Sequence, residues 1–403
     1  MECLRQLTPT WPNGNFKYLT KDLLRECFSY LDNSKDILRG GRVCKDWLSS
    51  IDHPVSWRGR TEIDEEIIHS KYFKYLRVID FEKSSIEDPI PIDIRNNKWL
   101  EELTNKRNYF GWITLDENGQ DDVMEEEYVV GTFYEYPDFL SNLTKLSKLK
   151  LHFEYGNYPI NLSKNKQLTE LSLIIYGKYN YQLDFSNNTK LNKLTMTIHD
   201  KYSEYDYPFD FSNNKVLSDL ELELNSEYSE YNYPIDISNN KHLTYFKFKI
   251  YGKYDYPIDF SNNTKLTYLQ MVMNNKKYDH KFDFSKNKQL RDLKLTLVGK
   301  HYHPIDISKN TQLTKLILEF HGTYDNPINL SKNIQLNYLK IYMYKKYNHK
   351  IDLSKLSELT YLDMCITEYE HPIDLSGNPN LRTKYIFDPL NLLAMLYGHA
   401  NII

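Results

Sequence analysis

Eight aspartates recur at one position of a repeating pattern, Asp184, Asp210, Asp236, Asp259, Asp283, Asp306, Asp352 and Asp374, each two residues before a serine. A row of carboxylates at fixed spacing invites a calcium or catalytic reading. Asn161 and Asn329 stand at the same position, however, so what it needs is a side-chain acceptor for a local backbone N–H rather than a negative charge. The four cysteines, Cys3, Cys27, Cys44 and Cys365, lack the close Cys or Cys/His spacing of a zinc site and read as reduced thiols. Catalysis needs a convergent nucleophile, base and oxyanion donor. His199, His301 and His321 are scattered and fit loops of the repeat instead. The expectation is a non-enzyme without metal or cofactor.

The elements that position these residues follow from the repeat. Serines 141, 163, 186, 212, 238, 261, 285, 308, 331, 354 and 376 are spaced 22 to 26 residues apart, and PIDIRNNKWLEEL (91–103) is a degenerate first copy, which makes twelve. Each copy carries two stretches that alternate with period two, the pattern of a half-buried strand. One is Leu293, Leu295 and Leu297; the shorter one is Ile258 and Phe260 around Asp259. So short a unit has little room for a helix, and the spacing predicts a mostly β solenoid of about eleven or twelve rungs over 91–380. Leu266, Leu269, Met271, Met273, Ile258 and Phe260 would face its core, each contributing roughly 1.5–3 kcal/mol before entropy is subtracted.

Two further columns read as scaffold. Asn165, Asn188, Asn214, Asn240, Asn263, Asn287, Asn310, Asn333 and Asn378 lie two residues after the serine, where amides could satisfy turn backbone and one another. Tyr179, Tyr205, Tyr231, Tyr254, Tyr278, Tyr324, Tyr347 and Tyr369 lie seven residues before it and account for eight of the 35 tyrosines. Stacked rings would form a spine.

The varying positions are the candidate recognition surface. Between the inward leucines of the long strand stand Lys247 and Lys249, Lys294, Lys340 and Tyr342, with Tyr176, His199, Tyr251, His321 and Tyr344 one step further along. Columns that repeat suit scaffolding and columns that vary suit recognition, so these aromatic and basic groups are the expected anchors for a protein target. The formal charge of −4 gives no reason to expect nucleic acid or an anionic membrane. No apolar run is long enough for a membrane span and no secretory leader is legible, so the cytoplasm or nucleus is expected.

Residues 19–60 have a different texture. Leu23, Leu24, Cys27, Phe28 and Leu31 recur at helical spacing after Thr20, a candidate cap, and Val43, Trp47, Leu48 and Ile51 give another helical stripe. The organisation expected is a tail (1–18), this helical module (19–60), a connector (61–90), the solenoid (91–380) with an acidic insertion near 111–135, and a C-terminal helical cap (381–403). The class is then α+β.

The stretch D-L-L-x-x-x-F-S-Y-L-D, then D-I-L-R-x-x-R-V-C-K-x-W and a terminal S-W-R, resembles the F-box, with Thr20 where that family has proline. The block Y-x-x-P-I-[DN]-[LFI]-S followed by L-T-x-L-x-L resembles the FNIP repeat, a leucine-rich-repeat relative abundant in amoebae and their giant viruses. The F-box resemblance implies a face for the Skp-type adaptor of a cullin ubiquitin ligase, formed or supported by Leu19, Leu24, Phe28, Leu31, Ile37, Leu38, Val43, Cys44 and Trp47. The function it implies is the substrate-recognition subunit of such a ligase, monomeric outside the complex. The alternative is a scaffold or viral decoy that binds a host protein without ubiquitin transfer.

Overall fold

A computed structural model describes residues 78–80, 100, 102–104, 139–154, 159–199, 205–225, 230–274 and 278–387. The expected helical module at 19–60 and the acidic insertion at 111–135 lie outside the described residues. By internal packing the chain divides into two units, residues 1–152 with 164–168, and residues 153–163 with 169–403.

In the first unit, β1 (Val78–Asp80), β2 (Glu102–Thr104) and β3 (Lys148–Glu154, whose last two residues belong to the second unit) pair in parallel, with Leu103 beside Leu149. A single 3-10 turn, Phe139–Asn142, precedes β3. Leu100, Leu103, Leu140, Leu143, Leu146, Leu149 and Leu151 form its buried interior.

The second unit contains ten parallel strands in chain order: β4 (Glu170–Tyr176), β5 (Lys193–His199), β6 (Asp219–Asn225), β7 (Tyr245–Ile250), β8 (Tyr268–Met273), β9 (Asp292–Leu297), β10 (Lys315–Phe320), β11 (Tyr338–Met343), β12 (Tyr361–Ile366) and β13 (Thr383–Phe387). Register stacks like on like. Leu171, Leu194, Leu220, Phe246, Leu269, Leu293, Leu316, Leu339 and Leu362 form one continuous file. All nine are buried, and a slip of one residue would turn the whole file outward, so burial itself fixes the register.

The α+β class is therefore corrected: apart from the one 3-10 turn, the described residues contain no helix. At the C-terminal end, where a helical cap was expected, Thr383–Phe387 pair with β12 as β13. The reason is local, since TKYIF is rich in β-branched and aromatic residues. Residues 388–403 lie outside the described residues.

The second alternating stretch also differs from expectation. Ile258 and Phe260 are buried and Asp259 exposed, as alternation requires, yet no named strand forms there. In the equivalent stretch of other rungs the N–H groups go elsewhere. In the preceding rung, Ile235 N–H donates to Tyr254 Oη of the next rung (3.1 Å), while Ser238 N–H donates to Asp236 Oδ1 (2.9 Å). With those donors diverted, and Pro234 or Pro257 supplying none, a ladder cannot continue.

The asparagine column closes the turns. Asn263 Nδ2 donates to Ile237 O and Asn240 O, both at 3.0 Å, and Asn240 O also accepts Leu243 N–H. The same geometry recurs at Asn214, Asn240, Asn287, Asn310 and Asn333. The amides bond the backbone of the preceding rung, not one another. Leu356 replaces asparagine in one rung, and Asn378 reaches back to the carbonyls of Leu353 and Leu356.

The aspartate column accepts the serine N–H, as at Asp184, Asp259 and Asp306 (2.8 to 2.9 Å), and Asn161 and Asn329 do the same at 3.1 and 3.0 Å. These bonds from the serine backbone and hydroxyl hold Asp283 and Asp306 below the usual carboxylate range.

The tyrosine column is a spine. Successive rings from Tyr179 to Tyr278 lie 6.2 to 6.4 Å apart and nearly parallel, and Tyr324, Tyr347 and Tyr369 continue it. Burial raises the hydroxyl pKa along this column. One tyrosine is missing: His301 takes its place, 1% exposed, with neither ring nitrogen hydrogen-bonded, and the hydroxyl of neighbouring Tyr278 also lacks a partner.

Candidate protein-binding face

The residues between the inward leucines of β4–β13 form a face that the core does not consume. On most strands its burial alternates with the core, as in the half-buried, buried pattern of Glu170–Tyr176 and Tyr338–Met343, while Thr296, Ile317, Asp363 and Cys365 are buried at outward positions. Parallel in-register pairing turns each position along the strand into a file across rungs, so neighbours on this face come from residues about one repeat apart.

The lysines expected as anchors lie on this face, and each meets an acidic side chain of an adjacent strand. Lys247 bonds Glu221, Lys249 Nζ bonds Glu223 (2.9 Å), Lys294 lies 3.9 Å from Glu319, and Lys340 lies 3.8 Å from Asp363. Asp292 pairs with Lys315 at 3.4 Å, and burial raises its pKa against the pull of Lys315. Half-exposed pairs of this kind contribute little stability. Their larger effect is to cancel charge across the middle of the face.

The aromatics expected there come together in pairs. Tyr176 stacks on His199 (4.8 Å) and His321 on Tyr344 (4.4 Å), while Tyr342 donates its hydroxyl to Asp363 Oδ2 (2.9 Å) beneath Lys340. Tyr251 is half-buried. Burial lowers the pKa of His199, with Glu223 acting in the opposite direction, and burial raises those of Tyr342 and Tyr344.

Sequence reading missed several members of the face. Tyr245 stacks on Tyr268 and Tyr338 on Tyr361, each at 4.3 Å and nearly parallel. Asp363 is 6% exposed although it belongs to the outward file between Lys340 and Tyr385. The signal for the tyrosines was their place at the first position of the long strand; Asp363 carried none. A second missed row borders the spine, two residues after each spine tyrosine. Tyr207 and Tyr256 donate to Asn180 O and Asn232 O, and His303, His349 and His371 approach Asp279 O, Asp325 O and Asn348 O.

The residues expected to face an adaptor, Leu19, Leu24, Phe28, Leu31, Ile37, Leu38, Val43, Cys44 and Trp47, lie outside the described residues. Among the described residues no group of three or more His, Cys, Asp and Glu side chains is placed to hold a metal ion.

No family model matches the chain. No curated protein matches it in sequence. Solved structures do match. A leucine-rich-repeat protein of Leptospira interrogans aligns at a TM-score of 0.53 and 16% identity, over 84% of this chain and 75% of that one. The functional domain of InlJ from Listeria monocytogenes aligns at 0.49 and 21%, over 79% of this chain and 64% of that one, so the chain spans less than two thirds of that domain. The internalin InlF from the same species aligns at 0.49 and 18%, over 77% and 87%. The in-register parallel strands, the buried asparagine turns and the likeness to the Leptospira protein make the described fold that of a leucine-rich-repeat solenoid.

Proposed function

We propose that the chain is a binding scaffold whose β4–β13 outward face captures a protein. The observation that carries this reading is the division of labour among the columns: asparagine, aspartate and spine tyrosine repeat and are used up in the scaffold, while outward positions change from rung to rung. With its charges paired internally, the face offers stacked tyrosines and histidines, the side chains that dominate protein interfaces at low entropic cost.

The test is photo-crosslinking in cells that produce the chain. A photoreactive phenylalanine placed at Tyr344, on the face, should capture a discrete protein partner, and one placed at Tyr302, an exposed residue in the loop before the spine's Pro304, should not. Capture at Tyr302 alone would remove the outward face from the account.

The narrower form of the reading is delivery of the captured protein to a cullin ubiquitin ligase. It is supported by the F-box-like motif of residues 19–58 and by nothing in the described fold. Its test is co-purification of a Skp-type adaptor, lost on Leu24→Ala with Trp47→Ala while the solenoid stays folded. Absence of the adaptor from the unmodified chain would leave a scaffold without ubiquitin transfer.

A further inference from the structure

Among the described residues, Asp363 is the carboxylate of the outward face with a buried oxygen that its own chain leaves unpaired. The side chain is buried, and its two oxygens are treated differently. Oδ2 accepts the Tyr342 hydroxyl at 2.9 Å, approaches the Tyr361 hydroxyl at 3.4 Å and lies 3.8 Å from Lys340 Nζ. Oδ1 is buried with no hydrogen-bond partner. Leaving a carboxylate oxygen unpaired out of water is costly, and on a surface of varying residues a donor from a bound partner would relieve that cost.

The surroundings specify that donor. Tyr361 precedes Asp363 by two residues on the same face of β12, Tyr342 lies across on β11, and Tyr385, 53% exposed, is in register with Asp363 on β13. The rings of Tyr361 and Tyr385 meet edge to face at 6.3 Å. Aromatic faces around a carboxylate attract a cation. Lys340 already obeys that preference, with Nζ 4.1 Å from the centre of the Tyr342 ring, and so occupies the β11 side.

We propose that the β11–β13 end of the face seats an arginine side chain of the protein partner, its guanidinium donating to Asp363 Oδ1 and stacking on Tyr385. Arginine fits better than lysine because a planar, weakly hydrated guanidinium can donate in plane and stack by its face at once. This inference rests on the reading of the outward face as protein-binding.

The test is selection of a random peptide library, displayed on phage, against the full chain. Selected peptides should be enriched in arginine and should lose about tenfold or more in affinity on Asp363→Asn, which keeps the shape of the side chain and its acceptor for Tyr342. Tyr385→Ala, which removes an exposed ring and leaves the core intact, should weaken the same peptides and serves if Asp363→Asn fails to fold. Tyr302→Ala, at an exposed position off the face, should leave them unchanged. Peptides without arginine enrichment, none recovered at all, or peptides indifferent to Asp363→Asn and Tyr385→Ala overturn the arginine seat. Peptides that instead depend on Tyr245 and Tyr268 would overturn it while leaving the face as a binding surface, and peptides indifferent to every outward variant would remove both.

Discussion

The hydroxyl oxygen of Tyr254 accepts the backbone N–H of Ile235, 19 residues earlier, at 3.1 Å, and the same bond joins Tyr324 to Ile305 and Tyr347 to Ile328. Apart from Tyr278, whose hydroxyl is unpaired, each spine tyrosine therefore does two things: its ring packs between neighbouring rings, and its oxygen finishes the hydrogen bonding of the rung before it. A repeat array whose rungs touch only their neighbours depends on such inter-rung terms for cooperativity.

Tyr254→Phe keeps the ring and removes the acceptor, leaving the buried Ile235 N–H unpaired. The expected loss is about 1–2 kcal/mol, against about 3–5 kcal/mol for Tyr254→Ala, which also opens a cavity. Urea denaturation of the two variants checks the order and the gap.

Asn263→Ala removes two buried hydrogen bonds of 3.0 Å to the preceding rung. Ile237 O and Asn240 O keep their turn bonds from Asn240 N–H and Leu243 N–H, so the expected destabilisation is about 2–4 kcal/mol rather than collapse. Asp259→Asn should be neutral in the same assay, because Asn161 and Asn329 already fill that column.

His301 gives the solenoid an acid-sensitive rung. It packs against Phe282 and Tyr324, faces Asp279 (3.8 Å from Nδ1) and lies near His303. Burial lowers its pKa to about 4, against the pull of Asp279. The unfolded chain takes up this proton near pH 6.5 and the folded chain only near 4. The neutral ring's stability is thus complete above about pH 6.5 and drains away as pH falls toward 4, by on the order of 3 kcal/mol in full. His301→Tyr restores the column and should flatten that part of the melting-temperature profile.

Gly322 lies so close to Gly299 that a Cβ there would collide with the Gly299 carbonyl. Backbone on backbone cannot yield cheaply, so Gly322→Ala should lower the melting temperature by several degrees, roughly the effect of 1–3 kcal/mol. An exposed control, Lys300→Ala, should not.

The scaffold was legible because the chain contains its own comparisons. Asn165 to Asn378 and Asp184 to Asp374 recur beside variable neighbours, which separates structural need from accident, and Asn161 among the aspartates shows that acceptance of a hydrogen bond is the need. The fate of the shorter alternating stretch was not legible, since alternation announces a strand and only the structure shows the next rung's tyrosine taking the donor, as Tyr254 takes the Ile235 N–H. His301 could have been found by counting seven residues back from Ser308. The pairing of Lys247 with Glu221 required register across 26 residues, and without it the lysines read as free anchors. The α+β expectation took its helices from 19–60 and 381–403, and the part of those segments that is described is the strand β13.

The central claim is that repeating columns hold the solenoid together while varying ones bind. Replacing Tyr245, Tyr268, Tyr342 and Tyr344 together with serine and measuring both melting temperature and affinity for the partner captured at Tyr344 tests it directly, with the unmodified chain as control. The account predicts a modest change in melting temperature and a loss of affinity of about a hundredfold or more. Unchanged affinity in a folded variant, or unfolding of the solenoid on loss of these four rings, would contradict it.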